Sequence, residues 1–253
     1  MHPNPESPCV ICLEETDSTN RYLQQLADAV PVANESVVMA AVQTAGRGQA
    51  GNVWESEAGK NLTCSFLLYP PRLEAAQAFV LAELAALSVK HVLDKYTEGV
   101  TLKWPNDVYH LDRKICGILI ENRLLGDRIT RSIVGIGLNL NQTLFRSHAP
   151  NPVSLTQITG QVYDPPALLA QLRRAVRQYL RQYEAEGAEN MHRQYADALY
   201  RRDGFHPYED AAGRFDARIQ CVEPSGHLIL RRPDGTLSRY AFKEVKFIGS
   251  KIQ

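Results

Sequence analysis

The chain has 253 residues, enough for one large domain or one domain with a small appendage, and its 28 Lys+Arg balance its 28 Asp+Glu. Zero net charge argues against a nucleic-acid binder held by electrostatics, while leaving room for a local basic surface that meets an acidic protein partner. No apolar run approaches the roughly 20 residues that span a bilayer, and Met1-His2-Pro3-Asn4-Pro5-Glu6 lacks the basic and apolar regions of a signal peptide.

Five scattered cysteines are an odd number, and Cys9 and Cys12 form a lone C-x-x-C with no second pair at zinc spacing. Reduced thiols in a cytoplasmic protein follow, and the sequons at Asn61 and Asn141 then carry no meaning. No metal ligands can be assigned.

In chain order, Thr16-Asp17-Ser18-Thr19-Asn20 supplies capping residues for an amphipathic helix over 21–29. Residues 37–42 read as a buried strand. The loop Gln43-Thr44-Ala45-Gly46-Arg47-Gly48-Gln49-Ala50-Gly51-Asn52-Val53-Trp54 follows, and a second strand covers 62–69. That loop is either a mobile hairpin or a ligand flap. Its glycines can turn backbone N–H groups toward an anion, Arg47 can bind phosphate or carboxylate, and Trp54 can cover a flat ring. Gly46-x-Gly48-x-x-Gly51 is rejected as a dinucleotide fingerprint because no helix opens on its last glycine. Gly59-Lys60 is rejected as a P-loop because Asn61 stands where Ser or Thr belongs.

Helical spacing of apolar residues covers 73–96. A short strand over 101–104 is stopped by the turn Pro105-Asn106-Asp107, and longer strands cover 115–121 and 129–139. A hairpin between the first two would bring Lys103-Trp104-Pro105-Asn106-Asp107 near Asp112-Arg113-Lys114. Lys114 is then either a solvated lysine beside a turn or a cation aimed at a ligand. Gly117 is either a strand bulge or a point of close ligand approach. Gly135, Gly137 and Asn139 share one strand face, which either admits a packed helix or forms a groove for a flat ligand. Pro150-Asn151-Pro152 marks a linker, and helices cover 165–184 and 188–200. Strand runs at 214–222, 227–231, 237–241 and 244–248, separated by turns, suggest a small barrel or curled sheet. The residues alone therefore describe an α+β core with a compact all-β C-terminal domain.

Five blocks in order, from Asp17-Ser18-Thr19-Asn20 through the Gln43-Thr44-Ala45-Gly46-Arg47-Gly48 loop with Trp54, Lys103-Trp104-Pro105-Asn106-Asp107 and Asp112-Arg113-Lys114-Ile115-Cys116-Gly117-Ile118-Leu119-Ile120-Glu121 to Gly135-Ile136-Gly137-Leu138-Asn139, resemble biotin–protein ligases. The resemblance covers about residues 15–142. It implies a mixed-sheet catalytic core of the class II aminoacyl-tRNA synthetase/biotin ligase type over 1–205, and a small SH3-like β-barrel over 206–253. It also implies two steps: biotin and ATP give biotinyl-5′-adenylate and pyrophosphate, then the acyl group passes to a lysine of a biotin carboxyl carrier domain. By position, Ser18, Thr19, Asn20, Gln43 and Gly46 would hold biotin, with Gly117 lining its slot. Arg47, Trp54 and Asn139 would serve the nucleotide, and Lys114 would contact both carboxylate and α-phosphate. Lys103, Asn106 and Asp107 would bind phosphate, Mg2+ or the incoming lysine, with Asp107 counted beside Lys114 and Arg47 as catalytic.

Two departures bear on this expectation. Many members of the family carry a second arginine after Gly-Arg-Gly, where this chain has Gln49, so adenylate would be held less tightly. Some carry an N-terminal helix-turn-helix, whereas here the first motif begins at Asp17, and sixteen residues cannot form one. An enzyme without DNA or membrane binding is expected, as monomer or weak homodimer. Lipoate–protein ligase and a non-catalytic biotin or nucleotide sensor are the alternatives.

Overall fold

A computed structural model describes residues 7–146 and 151–249; the N-terminal 1–6 and Pro150 of the linker lie outside the described residues. The chain starts with β1 (Val10–Thr16), α1 (Thr19–Ala29) and β2 (Val37–Gln43). β1 and β2 are parallel neighbours, and α1 is the crossover that parallel pairing requires. The glycine loop leads to β3 (Leu62–Leu68), and α2 (Val80–Leu93) follows. A meander of β4 (Val100–Lys103), β5 (Asp107–His110), β6 (Arg113–Leu125) and β7 (Arg128–Leu138) completes one seven-stranded sheet, ordered β1-β2-β3-β7-β6-β5-β4.

The sheet is covered on both faces, so its inner strand β3 is buried throughout. Alternation along the strands sorts the two cores. Leu67 and Ile133, paired across β3 and β7, join Val38 and Leu23 beneath α1. Their neighbours Phe66 and Val134 face the larger core under α2 and α4 (Pro165–Glu186). The same alternation puts Ser65, Gly135, Gly137 and Gly117 on the α1 face, where the side chains become small or polar.

The expected helix over 73–96 is shorter. Leu73 and Ala75 instead hydrogen-bond to Ile129 and Asp127, a strand-like pairing beside β7 that holds back the helix start. By length and composition residues 75–93 suffice to cross a bilayer, but α2 lies buried against the sheet, α4 and α5 (Glu189–Asp197). Pro105-Asn106 does turn the chain, after a cis Trp104–Pro105 bond, yet Asp107 already opens β5 opposite Lys103. The short α3 (Leu155–Thr159) starts at a reciprocal Ser154/Gln157 capping box.

Beyond α5, β8 (His206–Asp210), β9 (Gly213–Val222), β10 (Leu228–Arg231), β11 (Leu237–Tyr240) and β12 (Lys246–Phe247) form an antiparallel sheet ordered β11-β10-β9-β8-β12. It buries Tyr208, Ala217, Leu228 and Leu230 inside. It docks on the first sheet through Trp104, whose Nε1 donates to the Gly226 carbonyl at 2.9 Å, and through Gly226 packed on the Phe79 ring.

Candidate active site

Ser18, Thr19 and Asn20 begin α1 and are buried against the sheet. Gln43, at the end of β2, accepts hydrogen bonds from the Thr19 backbone N–H at 2.9 Å and its hydroxyl at 3.1 Å. Ser65 Oγ lies 2.7 Å from Thr19 Oγ1 and 2.6 Å from Asn20 Oδ1. The Asn20 amide donates to Glu121 at 2.8 Å and to the Leu119 carbonyl at 3.3 Å. Each group is fixed by another, so the network is preorganised for a small polar ring system. Gly135 makes room for it, since a methyl group there would fall 2.3 Å from Asn20 Oδ1.

The glycine loop folds into a narrow flap. Trp54 N–H donates to Gly46 O at 3.0 Å, Gly48 N–H to Asn52 O at 2.6 Å, and Arg47 bridges Val53. Gly51 at the tip has φ 87°, a left-handed value that glycine adopts without steric cost. The Arg47 guanidinium donates to Glu121 at 2.8 Å, so flap and head pocket share one carboxylate. The Trp54 indole turns inward over the glycine faces. A methyl group would lie 2.4 Å from it at Gly137 and 3.0 Å at Gly117. Its Nε1 is buried without a partner.

Lys114 and Asp107 form an ion pair at 2.6 Å, because β5 and β6 pair as a hairpin with Asp107 opposite Gly117. Lys114 Nζ also stands 5.8 Å from the Trp54 ring centre. Asn106 donates its amide to the Ile118 carbonyl at 2.7 Å, which closes the turn and leaves its oxygen for other use. Lys103 donates to Tyr109 Oη at 2.9 Å, and burial, aided by Lys114 and Arg201, lowers its pKa against the pull of Asp107. Cys116, one residue from the slot, is fully buried, and burial pushes its thiol well above the ordinary range, so it is not a reactive thiolate.

All of the residues chosen from the sequence except Gly46 and Asn139 line one cavity of about 650 Å³. That volume suits a ligand of cofactor size. Gly46 is instead at the base of the flap, where a methyl group would meet the Trp54 carbonyl at 2.6 Å. Asn139 donates to the Val153 carbonyl at 3.1 Å, and its Oδ1 is buried without a partner. Asp107 is the one carboxylate lining the cavity among the described residues, and no cluster of three metal-ligating side chains occurs among them.

Six residues at or beside the site were given no role in the sequence reading. Ser65 was signalled only by a hydroxyl inside a strand buried on both faces. Glu121 ended the motif run but carried no role until its two partners were placed. Phe242, Lys243, Lys246 and Phe247 reach the cavity from the C-terminal sheet, a contact between distant segments that no local pattern reveals.

Residues 12–139 match the biotin/lipoate A/B protein ligase family, to which this chain belongs. A biotin–[acetyl-CoA-carboxylase] ligase from Paracoccus denitrificans is 31% identical over 231 residues, 88% of this chain and 94% of that protein. The bifunctional ligase/repressor BirA of Escherichia coli is 34% identical over 182 residues, 70% of this chain and 55% of that one. The solved biotin protein ligase from Aquifex aeolicus in complex with biotin and ATP superposes with a TM-score of 0.78 at 27% identity, covering 96% of this chain and 99% of that one.

Proposed function

We propose that this protein is a biotin–protein ligase, using ATP to activate biotin and passing it to one lysine of a biotin carboxyl carrier domain. The observation that carries this reading is the meeting of Lys114 and the Arg47 flap over one cavity whose far end is a locked polar pocket. In that pocket Ser18, Thr19, Asn20 and Gln43 would face the ureido ring, and the glycine faces of β6 and β7 would border the slot. The alkyl chain then leads the carboxylate to Lys114.

In the first step a biotin carboxylate oxygen attacks the α-phosphorus of ATP. The bond to the departing oxygen breaks, pyrophosphate leaves, and a mixed anhydride forms. Two anions must approach each other, so Lys114, held ready by Asp107, and Arg47 stabilise the charge gathering on phosphoryl oxygens. In the second step the carrier lysine's amine attacks the acyl carbon and AMP departs, with Asp107 the carboxylate placed to take the proton the amine sheds. The flap excludes water that would hydrolyse the anhydride. Mg2+ arriving on the phosphates would meet Asp107, a donor set that fits an ion that binds through one or two carboxylates plus phosphate and keeps its waters. It supplies charge neutralisation of the pyrophosphate.

The same reading has the protein in the cytoplasm as a monomer or weak homodimer, β1 having no strand paired on its outer edge among the described residues. The test is to incubate the protein with MgATP and a carrier domain, with biotin in one arm and lipoate in another, and to weigh the carrier. The carrier gains one biotinyl group in the first arm only. Gain of a lipoyl group without a biotinyl group would transfer the assignment to the lipoate branch of the family.

A further inference from the structure

Buried hydroxyl and amide groups offer few protons, so counting them fixes the direction of each hydrogen bond in the head pocket. Ser65 is fully buried on β3, and Thr19 and Asn20 are nearly so. The Asn20 amide faces two groups that only accept, the Glu121 carboxylate at 2.8 Å and the Leu119 carbonyl at 3.3 Å. Its NH2 must point to them, which turns Oδ1 toward Ser65. Arg47 donates to the same Glu121 oxygen and so secures it as an acceptor. Asn20 Oδ1 has no proton, so across 2.6 Å Ser65 must be the donor. That commits the one proton of Ser65. Thr19 Oγ1 lies 2.7 Å from Ser65 Oγ, and two oxygens so close repel each other unless a proton stands between them. Only Thr19 can supply it. Gln43 Oε1, 3.1 Å from the Thr19 hydroxyl and already served by the Thr19 backbone N–H, takes at most the lesser share of that proton.

The chain of bonds therefore runs one way, from Thr19 to Ser65 to Asn20 to Glu121, and it begins at the cavity, which Thr19 lines. A Thr19 hydroxyl turned toward Ser65 leaves only lone pairs for a ligand. We propose that Glu121, Asn20 and Ser65 are positioning residues that make Thr19 Oγ1 a pure acceptor, so that the pocket selects a ring carrying an N–H at that point, as a ureido ring does. A ring with no proton there, such as a dithiolane, meets oxygen lone pairs that nothing satisfies, and a site built around a hydrogen bond rejects such a ligand strongly. This rests on the cavity being a biotin site. It assigns ring selection to the direction of a buried hydrogen-bond chain whose far end, Glu121, is tied to the flap through Arg47.

The experiment uses the full chain, unaltered or carrying Ser65→Ala or Glu121→Gln. Calorimetry measures binding of biotin and of the two cyclic carbamates in which one ureido N–H is exchanged for a ring oxygen. No nucleotide is present, so the readout is independent of turnover. In the unaltered protein the weaker carbamate binds about 10²-fold less tightly than biotin, because its oxygen meets the lone pairs of Thr19. Ser65→Ala frees the Thr19 proton to turn toward that oxygen, and the difference shrinks to about tenfold. Glu121 is partly exposed and lies three hydrogen bonds from Thr19. A glutamine there can donate to Asn20, which lets the Asn20 amide turn over and the chain reverse, so Glu121→Gln shrinks the difference in the same way. A difference left unchanged in Glu121→Gln, or biotin and carbamate weakened by one common factor in Ser65→Ala, would overturn the proposal while leaving the functional reading intact. An unaltered protein that binds no biotin would strike the functional reading, and the proposal with it.

Discussion

Lys114 and Asp107 are each other's counter-ion at 2.6 Å, and both are largely withdrawn from solvent. Lys114→Met therefore leaves a carboxylate facing the phosphates where a cation stood. Pyrophosphate exchange falls by about 10²–10³, the cost of removing one transition-state donor. Exchange at the unaltered rate would remove Lys114 from the chemistry. Gly135 belongs to the recognition end: its substitution by alanine drives a methyl group onto Asn20, which Ser65, Glu121 and Leu119 hold in place. We expect Gly135→Ala to cost about 1–3 kcal/mol of stability, and to raise the KM for biotin more than that for MgATP. Gln49 lies at the flap tip, lines the cavity, and keeps a buried Oε1 with no partner. Gln49→Arg would bring a second guanidinium over the adenylate. The expected outcome is less biotin appearing on bystander lysines in a mixture lacking carrier, read by blotting; unchanged bystander labelling would show that flap charge does not govern escape.

Among the elements, α2 and α5 are joined by an internal acid–base pair. Glu83 is buried in the first turn of α2 and accepts from His192 of α5. Burial raises the Glu83 pKa, and the hydrogen bond that His192 donates to Glu83 raises that of His192. Both shifts favour the protonated form in the folded state. The His192 contribution to stability is therefore complete at pH below the unfolded histidine value and is lost as pH rises through the elevated His192 pKa, whereas that of Glu83 is complete only below the unfolded carboxyl value and is lost as pH rises through its own raised pKa. His192→Gln should lower the unfolding free energy by about 1–3 kcal/mol at pH 6, with the gap to the unaltered protein closing toward pH 9 in urea titrations. A gap constant with pH would show the pair to be neutral. This contact joins residues 83 and 192, and nothing in the pattern of either helix announced it. Helix faces and strand alternation were legible where apolar periodicity was strong, as in α4 and β7. Two strands were not: β1, at an edge of the first sheet, alternates exposed and half-buried residues, β8, inside the second sheet, is as weakly marked, and no strand was expected over either. The start of α2 was overread because local propensity continued through residues that tertiary pairing with β7 had claimed.

At the scale of the whole molecule, the site depends on segments brought together from the entire chain. The motif blocks named most of the side chains, because phosphate and ring recognition demand particular residue types at fixed strand and turn positions. They did not name the wall supplied by Phe242–Phe247, whose only credential is proximity in space. Nor did they foretell that Trp54 rests in the groove that the glycine faces open. The chain contains two tryptophans, and both Trp54 and Trp104 border this cavity. Its indole emission thus originates entirely at the cavity wall, one fluorophore in the flap and the other anchored to the C-terminal sheet. Occupancy can accordingly be followed by intrinsic fluorescence with no label attached, and Trp54→Phe alone should remove the component that answers to flap movement.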